Sequence, residues 1–107
     1  MRAFAVAILL ALGMPGAQAL AQEFNLVIRN HQFEPQELRV PAGKRVSISI
    51  ANEDVTPEEF ESATLKVEKV IPGKSKGVVR IGPLAPGRYE FIGEFHADIA
   101  KGAIIAE

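Results

Sequence analysis

A chain of 107 residues with 12 Lys plus Arg against 13 Asp plus Glu has room for one modest core and lacks the strongly basic face that nucleic acid requires. It contains no cysteine, which removes disulfides and thiolate metal ligands together. So small a fold must then be held by packing, sheet closure or a bound ion.

The first 21 residues read as an export signal. Arg2 supplies the positive start, Ala3 to Leu12 is an uncharged apolar run, and Met14-Pro15-Gly16 breaks it. Ala19-Leu20-Ala21 has the small-x-small form of a cleavage site, with the cut after Ala21 or, alternatively, after Ala19. The run is too short to span a bilayer comfortably, so the expectation is a protein exported to a bacterial periplasm and not membrane-embedded. Residues 22–107 then form one domain with 11 positive and 13 negative side chains, a net charge of -2. Met1 and Met14 leave with the signal, and no sulfur remains.

From Gln22 onward the pattern is one of short strands. Phe24 to Ile28 is apolar, Asn30-His31-Gln32 is a turn, and Phe33 stands alone before Glu34-Pro35. Leu38 and Val40 alternate towards the Pro41-Ala42-Gly43-Lys44 turn. Val46, Ile48 and Ile50 then alternate with Ser47 and Ser49, a strand with one polar face. Ala51 to Pro57 is a polar loop, and Glu59 to Leu65 resumes extended around Phe60. Val67 to Ile71, Gly77 to Ile81, the strand from Arg88 and a last strand from Gly102 to Ala106 follow, separated by Pro/Gly turns. No stretch of the domain carries a helical period. Seven to eight short strands predict an all-β Greek-key sandwich, with a small closed barrel as the rival.

Two stretches carry the chemistry. Tyr89, Phe91 and Gly93 share one strand parity and Glu90, Ile92 and Glu94 the other, with His96 just past the strand end. An acidic run, Glu58-Glu59-Phe60-Glu61, lies earlier, with Glu58 in phase with Phe60. If the two meet, they form a pocket of oxygen ligands plus one imidazole. Crowded carboxylates repel one another, and a cation removes that penalty; the ordinary alternative is a solubilising strand edge. Glu68, between Val67 and Val70, is a third candidate if it turns inward, with Lys66, Lys69 or Lys101 to pair it otherwise. His31, in a polar turn, reads first as a solvated residue. Carboxylate and imidazole donors suit Cu(II), iron, Mn(II) or Zn(II), and the absence of cysteine excludes a blue-copper centre. No nucleophile–base arrangement is legible, and the residues favour a binding protein over an enzyme.

Several segments in order resemble the cupredoxin-like domains of the bacterial periplasm: Phe33-Glu34-Pro35, Val40 to Lys44, Ile50 to Asp54, Pro83 to Tyr89, and Gly93-Glu94-Phe95-His96. The resemblance implies a Greek-key cupredoxin sandwich. In copper-carrying members a histidine stands where this chain has Glu58, and the copper cysteine where it has Gly93; the second histidine is kept as His96, and the axial methionine has no counterpart near Lys101. A closer resemblance, through Glu58 to Ser62, Glu68 to Val70 and Gly93 to His96, is to the small periplasmic component of iron-uptake systems built around a high-affinity iron permease.

That resemblance implies binding of iron and/or Cu(II), with Glu58, Glu59, Glu68, Glu94 and His96 as ligands, Glu61 as an alternate, and Asp98 and His31 as outer candidates. The partners implied are an inner-membrane iron permease and its periplasmic companion protein, with the chain a monomer or homodimer. Two other functions are weighed beside it: a copper-dependent assistant in ferrous iron oxidation, and a metal-free envelope interaction domain. Metal affinity is expected to fall from pH 7 towards pH 5 as protons compete for the ligands.

Overall fold

The computed structural model describes residues 22–107; the predicted export signal, residues 1–21, lies outside them. In chain order the strands are β1 (Gln22–Arg29), β2 (Gln32–Glu34), β3 (Glu37–Val40), β4 (Val46–Asn52), β5 (Glu58–Ser62), β6 (Val67–Ile71), β7 (Ser75–Ile81), β8 (Gly87–Gly93) and β9 (Lys101–Ala106). A 3₁₀ turn, Glu94–His96, follows β8. One sheet has the order β2-β1-β4-β7 and the other β3-β9-β8-β5-β6. The architecture is thus an all-β sandwich, as the alternation predicts, with nine strands among the described residues rather than seven or eight. The extra strand is β2: Phe33 is paired with Ile28 in a short antiparallel ladder, and Pro35, which has no N–H to donate, separates it from β3.

The inward faces follow the period of two. Leu26 and Ile28 of β1, Val46, Ile48 and Ile50 of β4, and Val79 and Ile81 of β7 come from one sheet. Phe60 of β5, Ile71 of β6, Phe91 of β8 and Ile104 of β9 come from the other. Phe33, Phe60 and Phe91 form the aromatic centre, Phe33 meeting Phe91 edge-on at 4.8 Å and Phe60 lying 4.8 Å from Phe91. Such pairs contribute about 0.5–1.5 kcal/mol beyond their burial. Both sheets are mixed, because β1 runs parallel to β4 and β3 parallel to β9. No helix among the described residues is long and apolar enough to cross a membrane.

Two registers position the site. Parallel pairing of β1 with β4 sets Ile28 opposite Asn52, so the turn two residues beyond Ile28 meets the loop two residues beyond Asn52. Antiparallel pairing of β5 with β8 sets Phe60 opposite Gly93, so Glu58, two residues before Phe60, meets Phe95, two residues after Gly93. Both meetings occur at the same end of the sandwich.

Candidate metal centre

Asn52 closes the loop that follows β4. Buried at 2% exposure, it donates from Nδ2 to the carbonyls of Thr56 (2.9 Å) and Ile71 (3.1 Å) and accepts from the N–H of Asp54 (3.0 Å) at Oδ1. Asp54 in turn accepts the N–H groups of Asn30 (2.8 Å) and His31 (2.9 Å), one on each carboxylate oxygen. Those residues have φ of 54° and 60°, the left-handed region that side chains disfavour, and the carboxylate latches the turn in that shape. Partial burial pushes Asp54 up, but the two backbone donors, aided by the nearby His31 and His96 rings, outweigh it and hold its carboxyl below the usual range.

Glu58 opens β5 on the core side, in phase with Phe60 and Ser62, and is 1% exposed. Its Oε1 accepts the N–H of Phe95 (2.9 Å) and of Glu59 (3.0 Å), and its Oε2 lies 2.7 Å from His96 Nδ1. A carboxylate accepting at all three contacts places the imidazole proton on Nδ1. The His96 ring is stacked on that of His31, centroids 3.6 Å apart and planes 12° from parallel. His31 Nδ1 lies 3.4 Å from Asp54 Oδ2. The result is a row of four groups, Glu58, His96, His31 and Asp54, delivered by β5 and by the segments that follow β8, β1 and β4.

The other expected ligands lie elsewhere. Glu59, Glu61 and Glu68 belong to the outward parity of β5 and β6, where Glu61 pairs across the ladder with Glu68. Glu94 approaches Glu61 from beyond β8, and Glu61 is pushed up from its ordinary value, first by partial desolvation and then by Glu94, Glu68 and Glu59. Glu68 is exposed rather than turned inward. The register of β6 sends Val67, Lys69 and Ile71 to the side of Ser62, Phe60 and Glu58, and leaves Glu68 outside. Asp98 is likewise exposed. Among the described residues, no three His, Asp or Glu side chains are disposed to hold one ion. The expected five-residue pocket is therefore divided: Glu58 and His96 are together inside, and Glu59, Glu68 and Glu94 lie on the outer acidic face.

The donor set can be tested against a metal. A metal about 2.1 Å from both an oxygen and an imidazole nitrogen, at a right angle, spaces those donors about 3 Å apart. The 2.7 Å between Glu58 Oε2 and His96 Nδ1 must then open by a few tenths of an ångström, and Nδ1 must give up its proton. The two donors fit a borderline or hard cation to that extent. His31 does not add a third in this arrangement, because a ligating ring nitrogen holds the metal in the ring plane, and planes 12° from parallel with centroids 3.6 Å apart do not intersect near both rings. A blue-copper set does not fit at all, for want of cysteine. The structure places His31, an outer candidate in the sequence, beside His96, and adds Asp54, whose sequence signal is its place two residues after a strand-end asparagine.

A family model described as cupredoxin-like domain matches residues 2–106 of the chain. An uncharacterized protein of Rickettsia prowazekii is 42% identical over 84 residues, which are 78% of this chain and 66% of that protein. This chain therefore spans just under two thirds of that relative's length. Among solved structures, a copper binding protein studied in solution in its apo form superposes with a TM-score of 0.70 at 18% identity, covering 79% of this chain and 86% of its own. Auracyanin A, a "blue" copper protein of Chloroflexus aurantiacus, superposes with a TM-score of 0.68 at 16% identity, covering 79% of this chain and 98% of its own. At such identities these likenesses concern the fold alone.

Proposed function

The chain belongs to the cupredoxin-like domain family, and from that membership we propose that it is a periplasmic metal-binding protein that assists iron uptake through an iron permease. The cargo is iron and/or Cu(II), and the protein is not a blue-copper electron carrier. The observation that carries the reading is the buried Glu58 carboxylate bonded to His96, an oxygen–imidazole pair in a chain without cysteine. Two protein donors leave most of a metal's coordination sphere to water or to a partner. That suits an ion held for transfer better than one held permanently. The permease and its periplasmic companion are the partners proposed, and they would complete the coordination sphere at hand-off. Cu(II) held at the same pair would supply one-electron oxidising capacity towards Fe(II), which is the narrower form of this reading.

The test is a calorimetric titration of the purified protein with Fe(II) under anaerobic conditions, Cu(II), Mn(II) and Zn(II), repeated with His96→Ala. One site per chain, weakened at least about tenfold in the variant, is expected. Equal binding by both proteins would refute the assignment to His96. A second reading, a metal-free envelope interaction domain, is favoured by the outer acidic face of Glu59, Glu61, Glu68 and Glu94. It expects no stoichiometric site for any of the four ions.

A further inference from the structure

Gly93 is buried at the end of β8, opposite Phe60. Its backbone is extended, φ -95° and ψ 106°, a conformation that any residue adopts. Nothing in the backbone therefore asks for glycine there. The space does. A Cβ on Gly93 would lie 2.6 Å from Glu58 Cδ, 2.7 Å from Glu58 Oε2 and 2.7 Å from the Cβ of Ala100. The volume a side chain at 93 would fill is the volume the Glu58 carboxylate occupies. The backbone beside it is fixed, since the N–H of Gly93 donates to the carbonyl of Ala100 at 2.8 Å.

We infer that Gly93 is the specificity-determining residue of the candidate metal centre: its missing side chain is what lets the Glu58 carboxylate lie against His96, and so makes the pair an oxygen–imidazole one. A side chain at 93 and a carboxylate beside His96 exclude each other. Of the two neighbours, Ala100 has no side-chain freedom, whereas Glu58 is long enough to swing away. A Cβ at 93 therefore displaces Glu58 and strips His96 Nδ1 of its partner. The bearing of this on metal choice, hard and borderline cations over soft ones, rests on the metal-binding function proposed above. The steric exclusion itself does not.

The experiment is a set of variants, Gly93→Ala, Glu58→Ala, the double variant Gly93→Ala/Glu58→Ala, and Gly93→Ala/Ala100→Gly, read without metal by urea unfolding and by the ring ¹⁵N shifts of His96. The wild type is expected to show the Nδ1–H signature and Gly93→Ala to lose it. Glu58→Ala is expected to lower the unfolding midpoint less in the Gly93→Ala background than in the wild type. Should Gly93→Ala fail to fold, Gly93→Ala/Ala100→Gly opens room on the other side and reads the same signature, which is expected to stay lost. Retention of the Nδ1–H signature in either variant, or additive effects of the two alanine substitutions, would overturn the inference. Anaerobic Fe(II) titration of Gly93→Ala/Ala100→Gly is expected to match Glu58→Ala, at least about tenfold weaker than wild type. If the wild type binds no Fe(II), the metal-binding function fails while the unfolding cycle still decides between Gly93 and Glu58.

Discussion

Replacing Glu58 separates what its charge does from what its oxygens do. The side chain is 1% exposed and accepts from Phe95 N, Glu59 N and His96 Nδ1. Glu58→Gln keeps an oxygen for the two backbone donors and turns a charge-assisted contact with His96 into a neutral one. The difference between those classes is about 1 kcal/mol. Glu58→Ala instead leaves two N–H groups without acceptors, each costing about 1–3 kcal/mol, and opens a void beside Gly93. Removing the charge also removes its desolvation penalty, so a net loss of about 3 kcal/mol is expected. For a domain of this size each kcal/mol moves Tm by about 4–8 °C. Glu58→Gln should therefore melt about 4–8 °C below wild type and Glu58→Ala about 12–24 °C below, by calorimetry without metal. Glu58→Ala melting at or above wild type would refute the reasoning, because the three bonds would then be worth less than the burial of the charge.

Asp54→Asn should loosen the turn at Asn30 and His31, since an amide offers one acceptor oxygen where two backbone donors are held; a loss of about 1–2 kcal/mol is expected in urea unfolding near pH 7. Because Asp54 is held below its usual range when folded, its contribution is present above the unfolded carboxyl value and disappears as pH falls through the folded one, so the gap between wild type and variant should close below about pH 4. Glu61 has the opposite sign: its carboxyl is pushed up in the fold, so its charge destabilises above that value. Glu61→Gln should raise Tm at pH 7, with the gain vanishing in acid; a lower Tm at pH 7 would contradict the crowding of Glu94, Glu68 and Glu59. Metal uptake at His96 Nδ1 should displace the ring proton to Nε2, read as loss of the Nδ1–H signature in the ring ¹⁵N shifts on titration with Zn(II), and persistence of that signature at saturation would place the metal elsewhere.

The strands were legible where alternation is unbroken. Val46, Ile48 and Ile50 declare β4, Tyr89, Phe91 and Gly93 declare β8, and the phase of Glu58 with Phe60 shows its inward aim. Phe33 was seen but not its strand, because three residues carry no period. Glu68 was read as an inward candidate because apolar residues stand on both sides of it; its outward aim follows from pairing with Glu61, which local sequence does not encode. The convergence of His31 and Asp54 was hidden for a related reason. It depends on β1 lying parallel to β4, with partners such as Ile28 and Asn52 24 positions apart, and no short-range pattern specifies that choice. Gly93 was visible as a glycine, yet its reason is space beside another strand's side chain, a tertiary fact.

Packing alone does not call for a carboxylate at position 58. Its neighbours Ile71, opposite it on β6, and Gly93, at the end of β8, are apolar, and buried ionic groups exchanged for well-packed apolar ones often leave a protein as stable or more so. Holding Glu58 there also requires Gly93 to forgo a side chain and Phe95 and Glu59 to aim their N–H groups inward. Three positions on two strands and a turn are thus committed to one charged oxygen pair beside one imidazole. Under the metal-binding function proposed above, that arrangement has a use: the charge is paired while an ion is absent and free to meet one at the end of the sandwich. The His96 ring proton satisfies Glu58 Oε2, and a cation meeting the pair would require that proton to move to Nε2, which would leave Glu58 Oε2 and His96 Nδ1 free to hold the ion.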